Sequence, residues 1–168
     1  MLPLALPEVD VWAALHTKAR CEKVVNDYLH ALQVPVFLPL ATNRRVYGQR
    51  IRVSRLPLFP GYVFFDPTVI ENKRVFECRK VAQVLNPTDP GELKRDLESL
   101  FRVLSVDDRA RRIDKYPPGT PVEVVAGPMK GVTGTLVRID DETRLVIRVH
   151  FIGAAAELVI DEAFVRPL

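Results

Sequence analysis

The apolar positions of this chain change period several times, and each change marks an element. Val11 to Leu15 is apolar on both parities, the pattern of a short strand buried on both faces. Val24, Val25, Tyr28, Leu29 and Leu32 then form a one-sided stripe, which predicts a helix over about residues 21–33, closed by Pro35. Residues 36–65 read as antiparallel strands: 36–40, a ribbon from Arg44 to Arg55 turning at Gly48, and 62–65. A short helix is expected over 67–76, with Asp66 as its cap and Pro67 in its first position. Val81 to Leu85 predicts another strand. Asp89-Pro90 opens a second long helix with Leu93, Leu97, Leu100, Phe101 and Leu104 on one face. The order predicts an α+β fold, an antiparallel sheet flanked by helices.

The pattern changes again after residue 106. Residues 106–117 lose apolar periodicity and gain charge, and they read as a linker that ends at Pro117-Pro118-Gly119. From there the alternation has period two: Val122 and Val124, then Leu145, Ile147, Val149 and Phe151, then Leu158 and Ile160. Asp140 to Thr143 is a tight turn between two such runs. This predicts a small all-β barrel near the lower size limit for independent folding. The expected organisation is a first domain over 8–107, a charged linker over 108–117, and a barrel over 118–168.

Composition narrows the classes. At 48% hydrophobic and 27% charged residues, the 168-residue chain is of globular type. No apolar run is long enough to span a bilayer. The start lacks a basic stretch and is broken by prolines, so it does not read as a secretory signal, and a cytoplasmic location is expected. Cys21 and Cys78 lie far apart, and the three histidines show no ligand spacing. No metal or cofactor is therefore expected. No Ser/His/Asp set and no phosphate loop is present, and nothing in the sequence supplies a base to either cysteine, so the chain does not read as an enzyme.

Charge is uneven. Residues 118–168 carry 5 Lys and Arg against 7 Asp and Glu, whereas Arg44, Arg45, Arg50, Arg52 and Arg55 lie in a stretch without an acid. Five of the chain's aromatic residues fall between Tyr47 and Phe65, so this corner is packing, binding surface, or both.

Two motifs carry a family resemblance. Leu58-Phe59-Pro60-Gly61-Tyr62-Val63-Phe64-Phe65 resembles the FPGYV signature of the NusG N-terminal domain. Residues 119–137, from Gly119-Thr120-Pro121 through Gly127-Pro128 and Gly131 to Leu136-Val137, resemble a KOW motif. Trp12, followed ten residues later by Glu22, is spaced as in that family, and the order of domains covers nearly the whole chain. The chain is thus similar to NusG/RfaH-type transcription elongation factors. The resemblance implies an NGN fold followed by an SH3-like barrel. It implies binding to the clamp helices of the largest RNA polymerase subunit through a pocket of Trp12, His16, Phe59, Tyr62 and Phe64. Strand parity agrees in part, since Tyr62 and Phe64 share a face.

Further roles follow from the same resemblance. Lys18, Arg20, Lys23 and Arg79 would face DNA near the transcription bubble, giving affinity without sequence reading. Arg44, Arg45, Arg50 and Arg52 form a second basic candidate, for nucleic acid or an acidic protein surface. Phe151, Ile152 and Phe164 would be the barrel's partner surface, for a small-subunit ribosomal protein or Rho. The family's usual Phe-Gly-Arg is here Ile152-Gly153-Ala154, which points to a specialised, RfaH- or UpxY-like paralog rather than a housekeeping factor. The glycines and β-branched residues of the barrel oppose a helical alternative. No membrane partner and a monomeric state are expected. A ribosome-bound KOW protein is the competing class, but it leaves the FPGY segment unexplained and would normally have a basic barrel.

Overall fold

A computed structural model describes residues 5–113 and 118–168. The chain divides into two compact units, residues 1–39 with 59–95 and residues 40–58 with 96–168.

The first unit is built on a four-stranded antiparallel sheet. Its strands are β1 (Ala13–Thr17), β2 (Val36–Phe37), β5 (Tyr62–Phe65) and β6 (Val81–Leu85), in the order β2-β5-β1-β6. Ala13, Ala14 and Leu15, and Val63, Phe64 and Phe65, are all fully buried, so both faces of the two central strands are covered. Helix α1 (Glu22–Ala31) follows β1 and buries Val25 and Leu29, the inward members of the predicted stripe. Helix α2 (Asn72–Phe76) is shorter and later than the sequence predicts. Asp66 does not cap it. Its carboxylate accepts instead from the backbone N–H and hydroxyl of Thr68, at 2.8 and 2.6 Å. That local turn satisfies Asp66 and leaves residues 67–71 outside the helix.

Helix α3 (Pro90–Val106) begins as its sequence dictates. The Asp89 carboxylate accepts from the Glu92 N–H at 2.9 Å, and Pro90 needs no donor in the first turn. Leu93, Leu97, Leu100, Val103 and Leu104 are buried along one face.

The second unit holds a two-stranded ribbon and a larger sheet. The ribbon pairs β3 (Leu40–Tyr47) with β4 (Arg50–Pro57) through a two-residue turn at Gly48-Gln49, where Gly48 has φ +59. The larger sheet is antiparallel and six-stranded. It comprises β7 (Arg111–Ile113), β8 (Thr120–Val124), β9 (Thr133–Ile139), β10 (Glu142–Val149), β11 (Ala154–Val159) and β12 (Val165–Pro167), in the order β12-β8-β9-β10-β11-β7. Its core is Val122, Val124, Val137, Leu145, Ile147, Val149 and the Ala154–Ala156 run. Gly134 is required where β9 crosses β10, because a Cβ there would lie 2.7 Å from the Val146 carbonyl oxygen. Asp140 and Asp141 both take positive φ, 50 and 62, the two-residue hairpin geometry that matches strand twist. The segment of α3 in this unit also touches loops of the six-stranded sheet: the Asp96 carboxylate accepts from the His150 N–H at 3.0 Å, and Arg102 donates to the Lys130 carbonyl.

Strand β7 corrects the reading of 108–117 as a linker. Arg111, Arg112 and Ile113 pair with Glu157, Ala156 and Ala155, and Ile113 packs against Val137, Val146 and Ala155. Arg144 and Arg111 both donate to the same Glu157 oxygen, at 2.7 and 3.1 Å. Glu157 is buried, and this pairing holds the strand in place. Residues 114–117 of the expected linker lie outside the described residues.

Candidate functional site

The FPGY segment forms a turn whose geometry is set by a buried carboxylate. Gly61 has φ +90, a conformation open to glycine at little cost. Its N–H donates to Oε1 of Glu22 at 2.7 Å, and its carbonyl accepts from the Thr17 N–H at 2.8 Å. Glu22 is only 5% exposed, so this charge is committed to the turn. The Tyr62 N–H closes the turn onto the Phe59 carbonyl at 3.2 Å.

The turn sets Tyr62 directly across from His16 in the β1–β5 register. Their ring centroids are 5.5 Å apart, with the planes at 31°. His16 is exposed and Tyr62 half-buried. A Cβ on Gly61 would sit 3.3 Å from His16 Cδ2, so the glycine also makes room for the imidazole.

The five residues expected to form one accessible pocket do not do so. Trp12 and Phe59 are each 1% exposed and Phe64 is 0% exposed. Parity correctly puts Phe64 on the face of Tyr62, but both faces of β5 are covered at that position, and Phe64 is core. Only His16 and Tyr62 present surface to a partner.

Two of the basic loops are joined by a backbone hydrogen bond. The Lys18 N–H donates to the Lys80 carbonyl at 2.8 Å, joining the loop after β1 to the loop before β6. The register slips by one between His16 and Thr17, at Ala82, which bends this end of the sheet. Arg20 and Arg79 both adopt φ +59, a strained backbone for an arginine. Lys18, Arg20, Lys23, Arg79 and Lys80 are all exposed. Lys80 was missed in the sequence, though its adjacency to Arg79 is a signal. Glu22 is the other omission as a functional group, its only sequence mark being its distance from Trp12.

In the second unit Arg44, Arg45, Arg50 and Arg52 are exposed on the ribbon. Phe164 is 43% exposed and shields the Gly127 turn, its ring 3.8 Å from where a Cβ on Gly127 would lie. Phe151 and Ile152 are half-buried in a single helical turn that ends at Gly153. Below α3, Arg109 pairs with Asp107 through two guanidinium contacts of 2.9 Å. The Arg109 hydrogen bonds hold the Asp107 carboxyl below its ordinary range against the opposing effect of burial.

Among the described residues no group of His, Cys, Asp or Glu is arranged to hold a metal, and no helix is long and apolar enough to cross a membrane. The family model for NusG, described as transcription termination factor nusG, matches residues 10–98, more than half of the chain. This chain belongs to the NusG family. The match contains the Glu22–Gly61 turn, the His16–Tyr62 pair and the basic loops. Three transcription termination/antitermination proteins NusG are similar to it. That of Rickettsia felis is 25% identical over 94% of this chain and 90% of its own length. That of Thermus thermophilus is 25% identical over 89% and 94%. That of Haemophilus influenzae is 28% identical over 69% and 66%. A chain of the MjSpt4:Spt5 complex aligns over 94% of this chain at 16% identity and a TM-score of 0.29, a likeness too distant to carry weight. NusG-family factors are non-enzymatic transcription factors, and this chain is one by membership.

Proposed function

We propose that this NusG-family chain binds the clamp helices of the largest RNA polymerase subunit through the surface presented by His16 and Tyr62, and favours processive elongation. The observation that carries the proposal is the tilted His16–Tyr62 ring pair, open to solvent and adjoining the turn that the Glu22–Gly61 bond holds. A rigid, half-buried aromatic beside an exposed imidazole is the kind of anchor that dominates helix-binding interfaces. Trp12, Phe59 and Phe64 are buried and serve the core in this reading, not the contact.

The loops carrying Lys18, Arg20, Lys23, Arg79 and Lys80 lie at the end of β1 that carries His16 and face nucleic acid near the bubble. The positive φ at Arg20 and Arg79, costly for an arginine, supports a functional demand on these two positions. The barrel recruits a second partner, a small-subunit ribosomal protein or Rho, through Phe164 with Phe151 and Ile152. The uncharged Ile152-Gly153-Ala154 turn supports a specialised paralog.

A single-round elongation assay with reconstituted bacterial polymerase tests the central step. The chain is expected to raise readthrough at pause and termination sites, and a folded His16→Ala/Tyr62→Ala variant to lose that effect. A double variant as active as the parent rejects the reading.

A further inference from the structure

Between Asp27 and Asp66 the sequence contains no acidic residue, and the β3–β4 ribbon projects its arginines from the middle of that stretch. The register sorts them by face. Arg45 lies opposite Arg52, and Tyr47 opposite Arg50, all on one face. Val46 lies opposite Ile51, and Arg44 opposite Val53, on the other.

The two faces have different physical tasks. Val46, Ile51 and Val53 are more than half exposed, yet the facing Val46–Ile51 pair, with Val53 beside it on the same face, stiffens a ribbon that belongs to no larger sheet. Gly48, with φ +59 at the first turn position, supplies a tight tip. The opposite face works against the ribbon's own stability, because Arg45 and Arg52 are like charges placed directly across from each other. The ribbon's ion pair to Asp108 is made by Arg55 at its base, 4.0 Å away, and leaves the tip arginines exposed. An arrangement that repels itself in the free chain is neutralised by an anionic partner.

We propose that the Arg45, Arg50 and Arg52 face of the ribbon binds the phosphate backbone of duplex DNA, with the Tyr47 hydroxyl as an added phosphate contact. Guanidinium groups suit this task because each can engage phosphate oxygens in a two-pronged contact. The B-DNA major groove admits a two-stranded ribbon, whereas the deep, narrow major groove of A-form RNA does not. Single strands are bound on successive aromatics, and this ribbon offers one, Tyr47. The inference stands apart from the polymerase reading, since it needs only the chain and DNA.

The test is a fluorescence anisotropy titration of the full chain against a mixed-sequence DNA duplex over a range of salt. Binding is expected to weaken steeply with salt. Arg45→Gln/Arg50→Gln/Arg52→Gln is expected to lose affinity roughly tenfold or more and to flatten the log–log salt slope by about 3. The lysine triple variant keeps the slope, and Val46→Thr/Val53→Thr keeps both slope and affinity. His16→Ala/Tyr62→Ala also keeps DNA binding, so failure of the polymerase reading is distinguishable from failure of this one. The glutamine variant removes a repulsion and is expected to melt no lower than the parent, which separates lost contacts from lost fold. An unchanged slope in that variant overturns the proposal. So does equal competition by double-stranded RNA, by single strands or by polyglutamate, the last marking an acidic protein surface as the true partner.

Discussion

Tyr62 and Phe64 are two residues apart on one face of β5, and they have opposite fates. Tyr62 keeps surface and is a binding residue by proposal, whereas Phe64 has none. Phe64→Ala is therefore expected to cost about 3–5 kcal/mol in chemical denaturation. Gly61→Ala puts a Cβ against the His16 ring in a left-handed backbone, and is expected to cost about 1–2 kcal/mol while displacing the imidazole, visible as a shifted His16 resonance. Asp107 gives a pH signature. Its carboxyl is held below the ordinary range, first by the Arg109 side chain, so folding favours the ionised form. That stabilisation is complete above the unfolded carboxyl's pKa and is lost as pH falls through the lower folded value. Asp107→Asn should show a shallower loss of stability on acidification than the parent in denaturant titrations below about pH 4. The sequence grouped His16 and Tyr62 with Trp12, Phe59 and Phe64 and could not tell the two that keep surface from the three that are buried. Parity assigns a face, while burial depends on what packs over that face.

Elements were legible where local chemistry and tertiary packing agreed. Helix α3 was readable because the Asp89 cap, Pro90 and the leucine stripe all pointed the same way, although Val103 and not Phe101 completes its buried face. Strand β6 matched the expected residues, and the ribbon was longer at both ends than the arginine run suggested. Helix α2 was misplaced because Asp66 had a nearer partner in Thr68 than the helix N-terminus. Strand β7 was hidden because Arg-Arg-Ile carries no strand signal by itself, and its pairing depends on Glu157, more than forty residues away. Glu157 ties β7 and β10 to β11, and Arg144 beside it is only 13% exposed. Removing the carboxylate takes one of two acidic partners from Arg144, which keeps Glu142 at 3.0 Å. Glu157→Ala is thus expected to cost about 1–3 kcal/mol, with early hydrogen exchange at Arg111 to Ile113. Slow exchange there in the variant would show that the strand is held by its backbone pairing alone.

At the scale of the whole molecule, the FPGY segment was the most legible feature, and the family match over residues 10–98 contains it. The boundaries were less so, because the ribbon and the later part of α3 group with the six-stranded sheet by proximity, not by sequence order. The central claim concerns one surface, that of His16 and Tyr62 over the Glu22–Gly61 turn. Its most direct test is a binding titration of the full chain into a reconstituted bacterial elongation complex, with Tyr62→Ala beside it and thermal unfolding recorded for both. The account predicts saturable binding by the parent and a Tyr62→Ala variant that unfolds at nearly the same temperature but binds more weakly by about 2 kcal/mol. A folded Tyr62→Ala chain that binds as tightly as the parent would contradict it.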